Sequence, residues 1–238
     1  MIVTKFNTAQ GISIFEERYL KTQFHAHPAT EIIIAKAGNF SLTTKEKHLA
    51  NLQIGLILPN VLHSFNGDQA ICEIILLEKE FVADDKVLLA LGVTNKKQGI
   101  ISLPANLKEK IPHLLQTLSQ DNYQARFDKR IEQTIQFIKE RYTQSDLSLT
   151  NLSQLVHLSP SRLSHLFKAQ MGISIQKFIV WIRMKAATDY MLNQNMHLTQ
   201  AAYSAGFYDT AHFSKHFKDI FGIKPSLVYN NSCIVQDS

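Results

Sequence analysis

The residues best suited to chemistry are three histidines and one carboxylate near the start of the chain. They are His25, His27, Glu31 and His63. Two histidines that stand two residues apart on a strand point to the same face. Three imidazoles and a carboxylate can together hold a divalent metal ion such as Zn, Ni, Fe or Mn. These residue types therefore suit a site for a divalent metal ion.

The composition narrows the class of protein. The only cysteines are Cys72 and Cys233, so we expect no disulfide scaffold and a cytoplasmic location. No apolar run reaches the roughly 18–20 residues of a membrane helix, and the N-terminus lacks the pattern of a signal peptide. The net charge is +5, and residues 159–224 contain eight basic and three acidic residues. This local excess of positive charge favours a polyanion such as DNA as the partner.

Short β-rich runs separated by turn residues fill the first 80 residues, a pattern typical of a β-sandwich or barrel. From residue 81 to 121 the pattern becomes helical, with helices expected near 81–91 and 105–119 and a break at Pro112. The polar residues 120–124 mark the predicted domain boundary. The strands are expected at Ile12–Phe15, Glu31–Ala35, Phe40–Thr44, Ile54–Leu58 and Ile71–Leu77.

The remainder of the chain is predicted to be helical and contains an internal repeat. At an offset of 50 residues, Phe167-Lys168 matches Phe217-Lys218 and Gly172-Ile173 matches Gly222-Ile223. Matches at this many positions indicate a duplicated unit. The expected helices cover residues 127–143, 148–156, 160–171, 174–193, 198–205 and 210–221.

Each repeat has the pattern of a helix, a tight turn and a second helix. Ser159 and Asp209 are the expected N-caps of the second helices, and Gly172 and Gly222 are expected to end them. In the second turn Gly206 is expected to take a positive φ, whereas the first repeat has Val156-His157 at that place. Apolar side chains are predicted to face inward at Leu163, Leu166, Phe167, Phe213 and Phe217.

The outward faces of these second helices carry short polar and basic side chains, which suit base edges and phosphates in a major groove. The helix that joins the repeats would be about 28–30 Å long, close to the roughly 34 Å of one DNA turn. Both second helices could then enter successive major grooves. The predicted DNA-binding residues are Ser161, Arg162, Ser164, His165, Lys168, Thr210, Ala211, Ser214, Lys215 and Lys218.

Residues 201–226, AAYSAGFYDTAHFSKHFKDIFGIKPS, resemble the signature of AraC/XylS-type regulators, and the resemblance extends over about residues 128–230. It implies a paired helix-turn-helix domain that binds promoter DNA, often in contact with RNA polymerase. By position, the base-reading residues of that family correspond here to Ser161, Ser164, His165, Thr210, Ala211, Ser214 and Lys215.

The N-terminal half resembles a cupin over about residues 10–80. The run from His25 to Glu31 is similar to the first cupin motif, and the run from Gly55 to His63 is similar to the second. Tyr19 stands where the motif has glycine, and the step from Pro59 to His63 is one residue shorter than in metal-binding cupins. That shorter form is similar to sensor domains of regulators, which often bind small organic effectors.

The predicted fold has two domains, one β and one α. These are a cupin-like ligand-sensing barrel at 1–80, a helical connector suited to homodimerisation at 81–121, and an AraC-type double helix-turn-helix domain at 122–238. The predicted function is a transcription regulator without enzymatic activity, in which a small ligand or metal in the barrel biases DNA affinity. Two alternatives stay open. One is a metal-dependent cupin enzyme with a helical tail, and the other gives the N-terminal half only a role in oligomerisation.

Overall fold

The chain divides into two compact units, the first of residues 1–125 and 218–238 and the second of residues 126–217. Of the predicted boundary at residues 120–124, residues 121–124 lie outside the described residues. For residues 2–7 and 233–234 the backbone alone is described. The computed structural model describes residues 2–7, 11–82, 84–94, 99–120, 127–227 and 233–234.

Short strands dominate the first unit. They are β1 (Ile2–Asn7), β2 (Ile12–Arg18), β3 (Thr30–Ala37), β4 (Phe40–Thr43), β5 (His48–Leu52), β6 (Ile54–Ile57), β7 (Ser64–Asn66), β8 (Ile71–Leu77), β9 (Ile100–Ser102) and β10 (Cys233–Ile234). Where the sequence predicted a barrel, these strands form a seven-stranded sheet, β10-β1-β2-β8-β3-β6-β9, and a three-stranded sheet, β5-β4-β7. All five predicted strands are confirmed.

Strand β3 lies inside the larger sheet, between β6 and β8. Its first six residues are buried, because each face of the strand meets a different part of the core. Ile32 belongs to the core cluster that includes the helices of this unit, and Ile33 belongs to the cluster around Phe40. Glu31, the second residue of this strand, is therefore held on a rigid support.

Residues 81–121 do not form a purely helical connector. They contain α1 (Asp84–Ala90), strand β9, a 3-10 turn (Ala105–Leu107) and α2 (Lys110–Gln120). Strand β9 pairs with β6, so this segment completes the larger sheet. Val87 and Ile111, on the two helices, join the same core cluster. Strand β9 was not predicted, because three residues are too few to show a strand pattern.

The predicted break at Pro112 is wrong. Pro112 is the third residue of α2, and the helix runs on to Gln120. The N–H groups of a first helical turn have no intrahelical acceptor, so a proline there removes no helical hydrogen bond. The interruption lies earlier, in the turn at residues 108–109.

Helices α3 to α8 follow, and the six helices predicted from the sequence are confirmed. Five of them begin at an N-cap side chain that accepts a hydrogen bond from a backbone N–H of the first turn: Asp128, Ser148, Ser159, Ser174 and Asp209. The helices are α3 (Lys129–Arg141), α4 (Leu149–Leu155), α5 (Pro160–Met171), α6 (Ile175–Asn193), α7 (Leu198–Ser204) and α8 (Thr210–Phe221).

Aromatic side chains fill the core of the second unit. The rings of Phe167 and Phe178 lie 5.5 Å apart in a T-shaped arrangement, and Trp181 of α6 is 5% exposed. Both Phe178 and Trp181 are therefore core residues of this unit. None of the described helices has both the length and the hydropathy of a membrane span.

Candidate DNA-binding helices and metal centre

The second helices of the two repeats are in register at the offset of 50 residues, since α5 covers residues 160–171 and α8 covers 210–221. The Ser159 Oγ accepts a hydrogen bond from the Arg162 N–H at 3.3 Å, and Asp209 Oδ1 accepts one from the His212 N–H at 2.6 Å. Both helices end at a glycine with positive φ, 79° at Gly172 and 71° at Gly222. The predicted caps are confirmed.

The two faces of α5 and α8 separate as the sequence predicted. Leu163, Phe167, Phe213 and Phe217 are buried, and Leu166 is half-buried. The polar stripes lie on the other side and face solvent wholly or in part. Exposed members are Ser161, Arg162, His165, Lys168, Ala211, Lys215 and Lys218, and half-buried members are Ser164, Thr210 and Ser214.

The turns of the two repeats differ in residue type and surroundings. His157 has a φ of 54° and is exposed, whereas Gly206 has a φ of 86°. A Cβ added at Gly206 would lie 2.9 Å from Thr143 Cα and 3.2 Å from Arg183 Nε. Glycine is therefore required in the second turn both by the left-handed backbone and by this close approach.

Arg183 of α6 is held by the protein itself. Its Nε donates to the Tyr142 carbonyl at 2.6 Å, and a terminal nitrogen donates to the Gln144 carbonyl at 3.3 Å. Burial lowers the pKa of its guanidinium. Arg183 is therefore paired with backbone carbonyls of its own unit.

The four predicted metal ligands come together in the first unit. The backbones of His25 and His63 form an isolated antiparallel bridge with N–H to carbonyl distances of 2.9 and 3.0 Å, which fixes their side chains next to each other. His27 precedes β3, and Glu31 lies in it. One ligand atom from each residue lies within 4.8 Å of the others, and all four residues are buried.

Each imidazole is oriented by a backbone carbonyl two residues away. The Nδ1 atoms of His25, His27 and His63 lie 2.9, 3.1 and 2.9 Å from the carbonyl oxygens of Gln23, Ala29 and Val61, respectively. Because a carbonyl only accepts, each Nδ1 must carry the hydrogen. In a neutral imidazole the Nε2 then carries a lone pair that can face the cluster, which is the arrangement that histidine ligands of metals show.

The facing nitrogen and oxygen atoms of the cluster are arranged as they would be around a bound cation. Glu31 Oε2 lies 2.9 Å from His27 Nε2 and 3.2 Å from His63 Nε2. Within the described residues, His63 Nε2 is buried and has no partner at hydrogen-bond geometry. Lone pairs of nitrogen and carboxylate oxygen repel one another unless a proton or a metal ion lies between them. An N₃O donor set of this kind fits zinc or another divalent transition metal.

The electrostatics of the four groups agree with this geometry. Burial, and then the neighbouring His63 and His27, lower the pKa of His25 to about 3, so its imidazole stays neutral. Burial alone would raise the pKa of Glu31, but the contacts with His27 and His63 outweigh it and lower that pKa. Burial works against charge on His63, yet the Glu31 carboxylate raises its pKa. The cluster therefore holds an ionised carboxylate beside at least one neutral imidazole.

The orienting carbonyls of Gln23, Ala29 and Val61 were not identified from the sequence. A backbone carbonyl is present at every residue, so no residue type marks it. The only signal was the spacing, because each carbonyl lies two residues from the histidine that it orients.

His212 and His216, one turn apart on α8, lie with their Nε2 atoms 3.0 Å apart. Both are half-buried, and their ring centroids lie 5.8 and 6.4 Å from that of Phe207. These aromatic contacts indicate that the pair packs the second repeat together.

Residues 152–230 match the family model described as a helix-turn-helix domain. The paired repeats are therefore a helix-turn-helix domain of the kind that AraC-family regulators carry, and the resemblance noted from residues 201–226 is confirmed.

The arabinose operon regulatory protein of Escherichia coli K12 is 34% identical over 99 residues, which is 42% of this chain and 34% of that protein. The chain thus matches about a third of the length of that relative. The probable transcriptional regulator LumQ of Photobacterium leiognathi is 25% identical over 224 residues, 85% of this chain and 90% of that protein.

Among solved structures, apo ToxT of Vibrio cholerae has a similar fold, with a TM-score of 0.64 at 15% identity over 92% of this chain and 97% of that one. ToxT bound to an unsaturated fatty acid is similar with a TM-score of 0.58 at 14% identity, over 94% and 96% of the two chains. These likenesses agree with the predicted combination of a β-rich N-terminal region and a helical C-terminal region.

Proposed function

We propose that this chain is a sequence-specific, DNA-binding transcription regulator that acts on promoter DNA. The observation that carries the proposal is the pair of helices α5 and α8. They are capped in the same way, lie in register within two repeats, and present polar and basic side chains away from the core. The match to a helix-turn-helix domain and the regulators named among the relatives support the same function.

In this proposal the two helices enter successive major grooves. Helix α6 has 19 residues, or about 28 Å at 1.5 Å per residue, which approaches the roughly 34 Å of one DNA turn. Arg162, Lys168 and Lys218 carry charge suited to the phosphates on either side. The base-reading side chains are Ser161, Ser164 and His165 on α5, and Thr210, Ala211, Ser214 and Lys215 on α8.

The first unit acts as the sensor, and its His/Glu cluster is the place where a small ligand or a metal ion is received. ToxT, which resembles this chain in fold, has been crystallised with an unsaturated fatty acid, so an organic acid is the alternative occupant. We assign the chain no enzymatic activity, because an enzyme built on the cluster would leave the paired repeats without a role. RNA polymerase and a second copy of the chain are the proposed protein partners, in the cytoplasm.

The proposal is tested with the full chain by selection from a pool of random duplexes, followed by a salt titration of the enriched site. We expect a site that spans two major grooves and an affinity that falls steeply with salt, by about 0.9 in log–log slope for each phosphate contact. Lys168→Ala and Lys218→Ala should each reduce that slope by about 0.9 and leave the selected sequence unchanged. Binding by the folded protein that is weak and enriches no sequence would contradict the proposal.

A further inference from the structure

The carbonyl that orients one proposed ligand belongs to a loop that also caps the end of α8. The Gln23 carbonyl accepts from His25 Nδ1 at 2.9 Å, and the N–H of Gln23 donates to the Gly222 carbonyl at 2.9 Å. The N–H of Ala26 donates to the Asp219 carbonyl at 3.2 Å. Residues 218–238 belong to the first unit, so these contacts are internal to it.

These hydrogen bonds satisfy carbonyls that a helix end leaves without intrahelical partners. The approach is close, since a Cβ added at Gly222 would lie 2.6 Å from both the Gln23 oxygen and His25 Nδ1. The loop is itself fixed to β7, because the N–H of Thr22 donates to the Phe65 carbonyl at 2.9 Å and Thr22 Oγ1 accepts from the Phe65 N–H at 2.8 Å. Only a few hydrogen bonds therefore separate the His25 ring from the last turn of α8.

The size of the cluster favours a single ion over an organic molecule. Its four ligand atoms lie within 4.8 Å of one another and are buried. In a tetrahedral zinc site with bonds near 2.0–2.1 Å, neighbouring ligand atoms are about 3.3 Å apart. A metal ion would thus draw the imidazoles together by small shifts, whereas an organic ligand would have to force them apart.

Resting on the function proposed above, we propose that the effector is a divalent transition-metal ion bound by His25, His27, Glu31 and His63, and that its occupancy is transmitted through residues 22–26 to the last turn of α8. Residues 218–221 of α8 belong to the first unit, and residues 210–217, which include the proposed base readers of this helix, belong to the second. Metal binding and DNA binding are then coupled, and the coupling must be reciprocal.

The first experiment titrates Zn²⁺ and Ni²⁺ into the full chain by calorimetry. We expect one ion per chain, and His63→Gln should weaken binding by more than the roughly 10–100-fold that loss of an outer-shell partner costs. His48→Gln is the matched control, because His48 is exposed on β5, outside the cluster, and its removal should leave affinity unchanged. Absence of stoichiometric binding, or equal effects of the two variants, would overturn the metal assignment.

The second experiment measures affinity for the selected duplex with and without Zn²⁺. We expect a change of about tenfold, and the same factor when Zn²⁺ affinity is measured with and without the duplex. Gly222→Ala, whose Cβ collides with the Gln23 oxygen, should abolish the change. Gly172→Ala, which strains the equivalent but exposed cap of α5, should preserve it.

The outcomes separate the two proposals. If the wild-type chain binds Zn²⁺ and the duplex with no mutual effect, the coupling is wrong and the DNA-binding function stands. If Gly222→Ala retains the full change, the route through residues 22–26 is wrong. If no duplex is bound with or without metal, the proposed function itself fails. The reciprocity measurement needs only wild-type protein, so it decides the coupling even if a variant does not fold.

Discussion

The two helix-turn-helix repeats share their spacing but differ in what surrounds them. In the first repeat, the turn residue His157 and the C-cap Gly172 are both exposed. In the second, Gly206 lies against the end of α3, and Gly222 is buried against the loop that orients His25. The helices that we propose to read DNA are thus equivalent in length and caps, whereas their attachments to the rest of the protein are not.

This difference indicates that the two repeats have different roles. A turn or cap residue that is exposed to solvent can be substituted with little effect on its surroundings. A residue packed closely against backbone cannot, because a larger side chain would collide with it. On the function proposed above, we therefore expect metal binding to change the DNA contact of the second repeat and to leave that of the first repeat unchanged.

The largest expected effect is one that the repeats share. Phe167 and Phe217 occupy equivalent positions in α5 and α8, and their side chains are 0% and 3% exposed. The substitutions are Phe167→Ala and Phe217→Ala. Each should lower the free energy of unfolding by about 4 kcal/mol, since a buried phenylalanine is replaced by a cavity. The measurement is urea unfolding followed by fluorescence of Trp181, the only tryptophan. A loss confined to one of the two variants would mean that the repeats do not have equivalent cores.

The second largest expected change in stability differs between the turns of the two repeats. Gly206→Ala should destabilise the second unit by about 2–3 kcal/mol, because alanine at a φ of 86° is strained and its Cβ would approach Thr143 Cα to 2.9 Å. His157→Gly should instead stabilise it by up to about 1 kcal/mol, since it removes strain at a φ of 54° in an exposed turn. The same fluorescence assay measures both, and equal effects of the two changes would refute the distinction.

The smallest effect concerns the caps. Ser159→Ala and Asp209→Ala each remove the side-chain acceptor at the start of a second helix. Each should cost about 1 kcal/mol of stability, and Ser159→Asp should restore the acceptor and most of the loss. Unfolding curves of the three variants check this, and an unchanged curve for either alanine variant would show that its cap contributes little.

Much of the helical region was predictable because capping residues mark where its helices begin and end. Ser159-Pro160 opens α5, and Gly172 closes it, so the observed bounds match the expected ones. The strands with alternating or continuous apolar residues were also found. Strand β5 was missed because only its last residue, Leu52, is buried, so its pattern is mostly polar.

The four members of the His/Glu cluster were predictable from their types and from a resemblance. The orientation of their rings was not, because it depends on backbone carbonyls that any residue supplies. The contact of Gly222 with Gln23 could not be predicted from the sequence either, since the two residues are about 200 positions apart in the chain. In the sequence Gly222 and Gly172 stand at the same position of the repeat and are both followed by isoleucine, and only the fold shows that one is buried and the other exposed.

The most direct test is duplex selection repeated with two full-chain double variants, Ser164→Ala with His165→Ala and Ser214→Ala with Lys215→Ala. If α5 and α8 read successive major grooves, each double variant should relax the sequence preference in a different half of the site. The two halves should then be centred about 10 base pairs apart. Relaxation of the same half by both variants, or of neither half, would contradict DNA reading by two helices.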